Sequence, residues 1–139
     1  MNGFIYPATL ERHQDSTIIT FRDIPQVLWV SYDGEDLQKN AAEGLQTSLS
    51  YYFKEGKKIP FASKAKKGEM LVYLPLSFVA KIILHNAMLA NRIRPVDLAR
   101  ALGEPTSEIA RITNPNVKIK IDKMEKAVRA AGGTMQLTC

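Results

Sequence analysis

Residues 94–112, Arg94-Pro-Val-Asp-Leu-Ala-Arg-Ala-Leu-Gly-Glu-Pro-Thr-Ser-Glu-Ile-Ala-Arg-Ile112, read as two short helices with a tight turn between them. Leu98 and Leu102 fall on one face of the first helix, and Ala99 beside them is small enough to let a second helix cross closely. Gly103 offers the left-handed conformation that ends a helix abruptly. Pro105, with its preset φ and no amide hydrogen to orphan, suits the first turn of the second helix. The pattern predicts helices over 95–102 and 106–113, with Ile109 and Ile112 turned back onto the first. Arg94 stands where an N-capping Ser, Thr or Asp is expected, so that end is predicted to be capped weakly, with Pro95 setting the start.

The opposite face of the second helix carries Thr106, Ser107, Ala110 and Arg111. Small hydroxyls near a helix N-terminus suit a phosphate, and an Arg can meet guanine N7 and O6 with two hydrogen bonds. The loop beyond, with Asn116, Lys118 and Lys120, suits backbone phosphates, which give affinity and register but not sequence. Pro105, Thr106, Ser107, Ala110, Arg111, Asn116, Lys118 and Lys120 are therefore the candidate DNA contacts, with a plain helical hairpin as the alternative. Charge agrees with the first reading. Residues 1–74 hold nine Lys/Arg and nine Asp/Glu, whereas residues 75–139 hold ten against five, so the whole net charge of +5 lies in the second half.

Outward from this motif the chain changes period. Phe4–Leu10, Thr17–Phe21 and Val27–Tyr32 read as three strands of an antiparallel meander, with Pro7 demoting the first to an edge or bulged strand. After Gly34, Leu37, Ala41, Leu45, Leu49 and Tyr52 fall on one helical stripe, N-capped by Asp36 and ending near Gly56. A basic loop from Lys57 to Lys67 reads as a solvated linker, and Met70–Leu74 reads as a buried strand. The helix predicted from Phe78 to Ala90 is apolar around nearly its whole circumference and must be buried on all sides. Either a subunit interface through Phe78, Ile82, Ile83 and Leu89, or burial between the two halves, provides that. A last helix is predicted from Asp122 to Ala131 and a last strand from Thr134 to Thr138. The fold class is thus α+β: a β-β-β-α-β domain over 1–74, then an all-α helix-turn-helix domain over 75–139 with a short C-terminal strand.

The lone Cys139 can form no internal disulfide, and the N-terminus lacks a basic region followed by an apolar stretch. A cytoplasmic protein without membrane association is expected. His13 and His85 are too isolated for a metal site, so neither metal nor cofactor is expected. Asp15, Asp23, Asp33 and Asp36 are the acids available for two-metal nuclease chemistry, yet each has a turn or capping role at hand, and no catalytic residue is assigned.

Taken together the segments resemble the HicB antitoxins of bacterial HicA/HicB type II toxin-antitoxin modules, in the subgroup with a C-terminal helix-turn-helix. The resemblance runs through Tyr6-Pro7-Ala8, Phe21-x-Asp23-Ile24-Pro25, Gly34-Glu35-Asp36, Tyr52-Phe53, Ile59-Pro60, Pro75-Leu76-Ser77 and Leu98-Ala99-Arg100 through Gly103 to Glu108-Ile109. It implies a degenerate ribonuclease-H-like N-terminal domain that binds and neutralises a HicA-type toxin, a small mRNA-cleaving ribonuclease. It also implies a C-terminal domain that binds the module's own promoter, and assembly into dimers or higher oligomers. Trp29 and Tyr32 are the candidates for toxin contact, since aromatic residues are enriched at interface hot spots. The alternative is a stand-alone helix-turn-helix repressor whose N-terminal domain senses a ligand or only oligomerises.

Overall fold

The computed structural model describes residues 3–136. Element order is β1 (Tyr6–Arg12), β2 (Ser16–Thr20), β3 (Leu28–Tyr32), α1 (Leu37–Glu55), β4 (Met70–Val72), α2 (Leu76–Ala90), α3 (Pro95–Leu102), α4 (Thr106–Thr113) and α5 (Ile121–Ala130). The chain divides into two compact units, one of Met1–Glu55 with Ile59–Leu74, the other of Gly56–Lys58 with Pro75–Cys139.

In the first unit a four-stranded antiparallel sheet runs in the order β3-β2-β1-β4, with α1 against one face. β-branched and aromatic residues alternate so that Tyr6, Ala8, Ile19 and Val72 are buried, facing Ala41, Leu45 and Leu49 of the helix stripe. The Asp36 carboxylate accepts from the Lys39 amide at 3.1 Å, the expected N-cap of α1. Gly44 sits where α1 crosses the sheet so closely that a Cβ there would lie 2.6 Å from the Trp29 ring.

Two strand expectations are corrected. β1 is an inner strand, but residues 6–8 pair only with β4 and residues 9–12 only with β2, so Pro7 lies where the β2 side is unpaired and its missing amide costs no bond there. β4 is a three-residue edge strand rather than a buried one, with Met70 and Leu71 half-exposed and Tyr73 beyond it in solvent.

The loop expected to be a solvated linker is pinned down instead. Ile59 is fully buried, the Tyr6 hydroxyl donates to the Pro60 carbonyl at 2.6 Å, and the Ser63 amide donates to Asp23 at 2.9 Å. Arg22 holds both carboxylate oxygens of Glu69, at 3.0 and 2.8 Å, and also donates to the Ser63 hydroxyl. That guanidinium keeps the Glu69 carboxyl down at about 2.

In the second unit, four helices bury a core of Ala80, Leu84, Leu98, Ala99, Ile109, Ile112, Met124, Ala127, Val128 and Ala131. The expected final strand is not present over Thr134–Gln136, and the rest of that predicted strand lies outside the described residues. Among the described residues no helix is long and apolar enough to cross a membrane.

Candidate nucleic-acid interface

α3 and α4 are joined by the three-residue turn Gly103–Pro105. The start of α3 is better capped than Arg94 suggests. Asp97, three residues on, accepts from the Arg94 amide at 2.9 Å and from its guanidinium at 3.0 Å through each carboxylate oxygen, the reverse half of a capping box. The Arg94 guanidinium is the largest cause holding the Asp97 carboxyl down at about 2. At the other end Gly103 has φ 65°, and the Glu104 amide reaches back to the Ala99 carbonyl at 3.0 Å, closing the helix so that the chain can reverse. Pro105 takes the N-cap position in extended conformation, one residue before the first turn, and its carbonyl accepts from Glu108 and Ile109.

Leu98 of α3 and Ile109 and Ile112 of α4 are buried, as their spacing predicts, with Ala99 buried beside them, whereas Leu102 is only half-buried. The eight candidate DNA residues, Pro105, Thr106, Ser107, Ala110, Arg111, Asn116, Lys118 and Lys120, all face solvent. The loop that carries the last three folds on Asn114, whose carbonyl accepts from the Val117 amide and whose side chain accepts from the Asn116 amide at 2.9 Å.

The cations of this surface differ in kind. Arg111 is engaged by Glu108, one turn earlier on α4, at 3.0 and 3.1 Å. Glu108 is also held by Lys123 of α5 at 2.9 Å, and Lys123 reaches Glu104 at 3.4 Å. Lys123 and then Arg111 lower the Glu108 pKa. No salt bridge among the described residues engages Lys118 or Lys120. Two lysines thus offer unshared charge, while the arginine is pre-aligned by a carboxylate that also ties α4 to α5. Glu108 and Lys123 escaped the sequence reading. The i,i+3 spacing of Glu108 and Arg111 is the signal that could have found the first.

A third unforeseen residue is Lys81 of α2, only 2% exposed. Its ammonium donates to the carbonyls of Arg111, at 3.0 Å, and Ile112, at 2.5 Å, at the C-terminal end of α4. A cation there meets the negative end of the helix dipole, adding to the Asn114 amide already on the Arg111 carbonyl and partnering the Ile112 carbonyl. Burial, with the like charge of Arg111 second, pushes Lys81 down to about 8, and the two carbonyls favour its charged form.

The remaining sequence candidates do not gather into a site. Trp29 faces α1, whereas Tyr32 is 59% exposed on the opposite side of the sheet. Phe78 and Ile82 are buried within the single chain. Ile83 is half-buried beside Leu76, Val79 and Met135, and Leu89 is 40% exposed. Asp23 holds Ser63, Asp33 pairs with Arg12 at 2.7 Å and Asp36 caps α1, so three of the four acids weighed for metal chemistry have structural partners. Among the described residues no three His, Cys, Asp or Glu side chains are grouped to hold a metal ion. His13 lies beside Glu11, and His85 lies 2.7 Å from the Lys57 carbonyl.

A four-stranded antiparallel sheet followed by helices, one of them with a polar, cation-bearing face, places the chain in the class of two-unit α+β proteins. The family described as the HicB-like antitoxin of bacterial toxin-antitoxin systems matches residues 5–83, more than half of the chain. "Antitoxin HicB 2" of Photorhabdus laumondii is 35% identical over 132 residues, covering 95% of this chain and 94% of that protein. "Antitoxin HicB" of Escherichia coli K12 is 32% identical over 133 residues, with 95% and 96% covered. "Antitoxin HicB 1" of the same Photorhabdus is 31% identical over 134 residues, with 96% and 85% covered. This chain belongs to the HicB-like antitoxin family.

Proposed function

We propose that this antitoxin neutralises a small HicA-type toxin through its sheet unit, read as a degenerate ribonuclease-H-like domain, and represses its own operon by binding operator DNA through α3 and α4. In this reading α3, the turn and α4 are a helix-turn-helix. α4 lies in the major groove with its N-terminal residues toward base edges, and Lys118 and Lys120 meet phosphates. The observation that carries the DNA half is the division within α4: Ile109 and Ile112 are buried while Thr106, Ser107, Ala110 and Arg111 are exposed, with two unpaired lysines in the next loop. The chain acts in the cytoplasm as a dimer or higher oligomer, without a cofactor or a chemical step of its own. Two copies would place two recognition helices on half-sites ~34 Å apart.

The experiment has two arms. In the first, DNA from the chain's own promoter region is titrated in a gel shift against scrambled DNA. Selective retardation is expected, and equal binding to both removes the repressor function. In the second, the chain is co-expressed with the toxin frame adjoining its gene. Co-purification and restored growth are expected, and failure of both removes the neutralising function and leaves a stand-alone repressor.

A further inference from the structure

The neutrality of the N-terminal half hides a separation of charge. Residues 1–36 hold two basic residues, Arg12 and Arg22, against six acids, Glu11, Asp15, Asp23, Asp33, Glu35 and Asp36, a net of −4, while residues 37–74 hold seven against three, a net of +4. The acidic portion is the meander, and its face away from α1 is apolar at the β3 edge. Trp29 and Ser31 turn inward, Ser31 accepting from Asn40 of α1, so Leu28, Val30 and Tyr32 turn outward, 70%, 39% and 59% exposed. The register extends this face across the sheet, with Val30 opposite Ile18, Ile18 opposite Glu11, and Leu28 opposite Thr20.

An edge strand of Leu-Trp-Val-Ser-Tyr has no Lys, no Pro and no charge to guard it. Strands that stay uncovered are ordinarily blunted by such residues, and an apolar patch rimmed by polar groups marks an interaction surface. We propose that the outward face of the meander, centred on Leu28, Val30 and Tyr32 and flanked by Glu11, Asp15 and Glu35 and by the Asp33–Arg12 ion pair, is the docking surface for the toxin. The toxin would engage it through an apolar spot ringed by Lys and Arg. Complementary charge selects this partner over a second copy of the chain, because two copies would bring two acidic rims together. The inference rests on the antitoxin reading and adds to it which face is used. It keeps Tyr32 and removes Trp29.

The test measures affinity of the full chain for the product of the adjoining toxin frame. Val30→Arg, exposed and on the outward face, should weaken binding roughly 30-fold or more, the loss expected of a central interface residue. Glu11→Lys should slow association, with a deficit that shrinks as salt is raised. Thr47→Arg, on the solvent side of α1, should bind as wild type. The melting curve of each variant checks folding, and if Val30→Arg melts early the Glu11→Lys result decides. Wild-type chain that does not bind overturns the antitoxin reading and this surface with it. Wild-type binding with an undiminished Val30→Arg or Glu11→Lys complex overturns the surface alone. So does a Thr47→Arg complex that is the weaker one, or a Val30→Arg effect confined to self-association in sedimentation.

Discussion

Replacing Lys81 by Met tests whether a buried ammonium braces the end of α4. Met fills similar space without a donor. The Arg111 carbonyl keeps the Asn114 amide at 3.2 Å, but the Ile112 carbonyl loses its ammonium partner. Hydrogen bonds to a charged group contribute roughly 1.5–3 kcal/mol, and a buried acceptor left unsatisfied costs about 1–3 kcal/mol. Against this stands the relief of no longer burying a charge, the same burial that draws Lys81 down from 10.5 to about 8. The balance is a net loss of about 1–2 kcal/mol near neutral pH, where Lys81 is charged. The sign of the pH dependence is fixed independently. Between 8 and 10.5 the unfolded chain keeps a proton at this position that the folded chain has released, so wild-type stability rises with pH in that window relative to the Met variant. Urea unfolding of both proteins at about pH 7 and about pH 10 measures the gap, which should be present at the first and wider at the second. Amide exchange over residues 109–113 should quicken in the variant. A variant as stable as wild type near pH 7 refutes the brace, and a gap that narrows on going to alkaline pH refutes the lowering of Lys81 by burial.

Other expectations concern the two units separately. Arg111→Ala should relax base preference at one operator position by about 1–3 kcal/mol in competition gel shifts, and an unchanged sequence profile removes Arg111 from the groove. Lys118→Ala should weaken binding to every sequence alike and reduce the slope of log affinity against log salt by about 1, and an unaltered slope rules out its phosphate contact. Gly44→Ala would drive a methyl to 2.6–2.9 Å from Trp29 atoms and should lower the stability of the sheet unit by about 1–3 kcal/mol, read as an earlier unfolding midpoint by Trp29 fluorescence. A midpoint that does not move would mean the helix can step away from the sheet at no cost.

The range of each interaction decides whether the sequence discloses it or withholds it. α3 and α4 were legible to the residue because apolar spacing, Gly103 and Pro105 are local signals. The four strands of the sheet are legible with ends displaced by up to two residues, since a strand ends where its partner does. β4 departs from the buried strand its apolar run suggests for the same reason: whether Met70 and Leu71 are covered depends on which strand lies beside them, and the sheet places only β1 there. The exposed helix face could be derived from periodicity, but the partners of its charges could not. Lys123 lies 15 residues from Glu108, and Lys81 lies 31 residues from the Ile112 carbonyl. The basic loop looked like a linker because its fastenings, Arg22 to Glu69 and Asp23 to Ser63, join residues 40 or more apart.

Those distant pairings also change what the net charge means. Of the ten basic residues beyond position 74, Lys81 is buried against carbonyls, and Arg94, Arg100, Arg111, Lys123 and Arg129 are each within 4 Å of a carboxylate. A surplus of +5 therefore overstates the charge concentrated on any one helix and understates its concentration in the loop after α4, where Lys118 and Lys120 stand unshared. On that account the salt dependence of DNA binding should be set by these two lysines more than by Arg111, whose guanidinium would exchange Glu108 for a base rather than displace counterions from the backbone. Arginine for geometry and lysine for charge is the division of labour their chemistry favours.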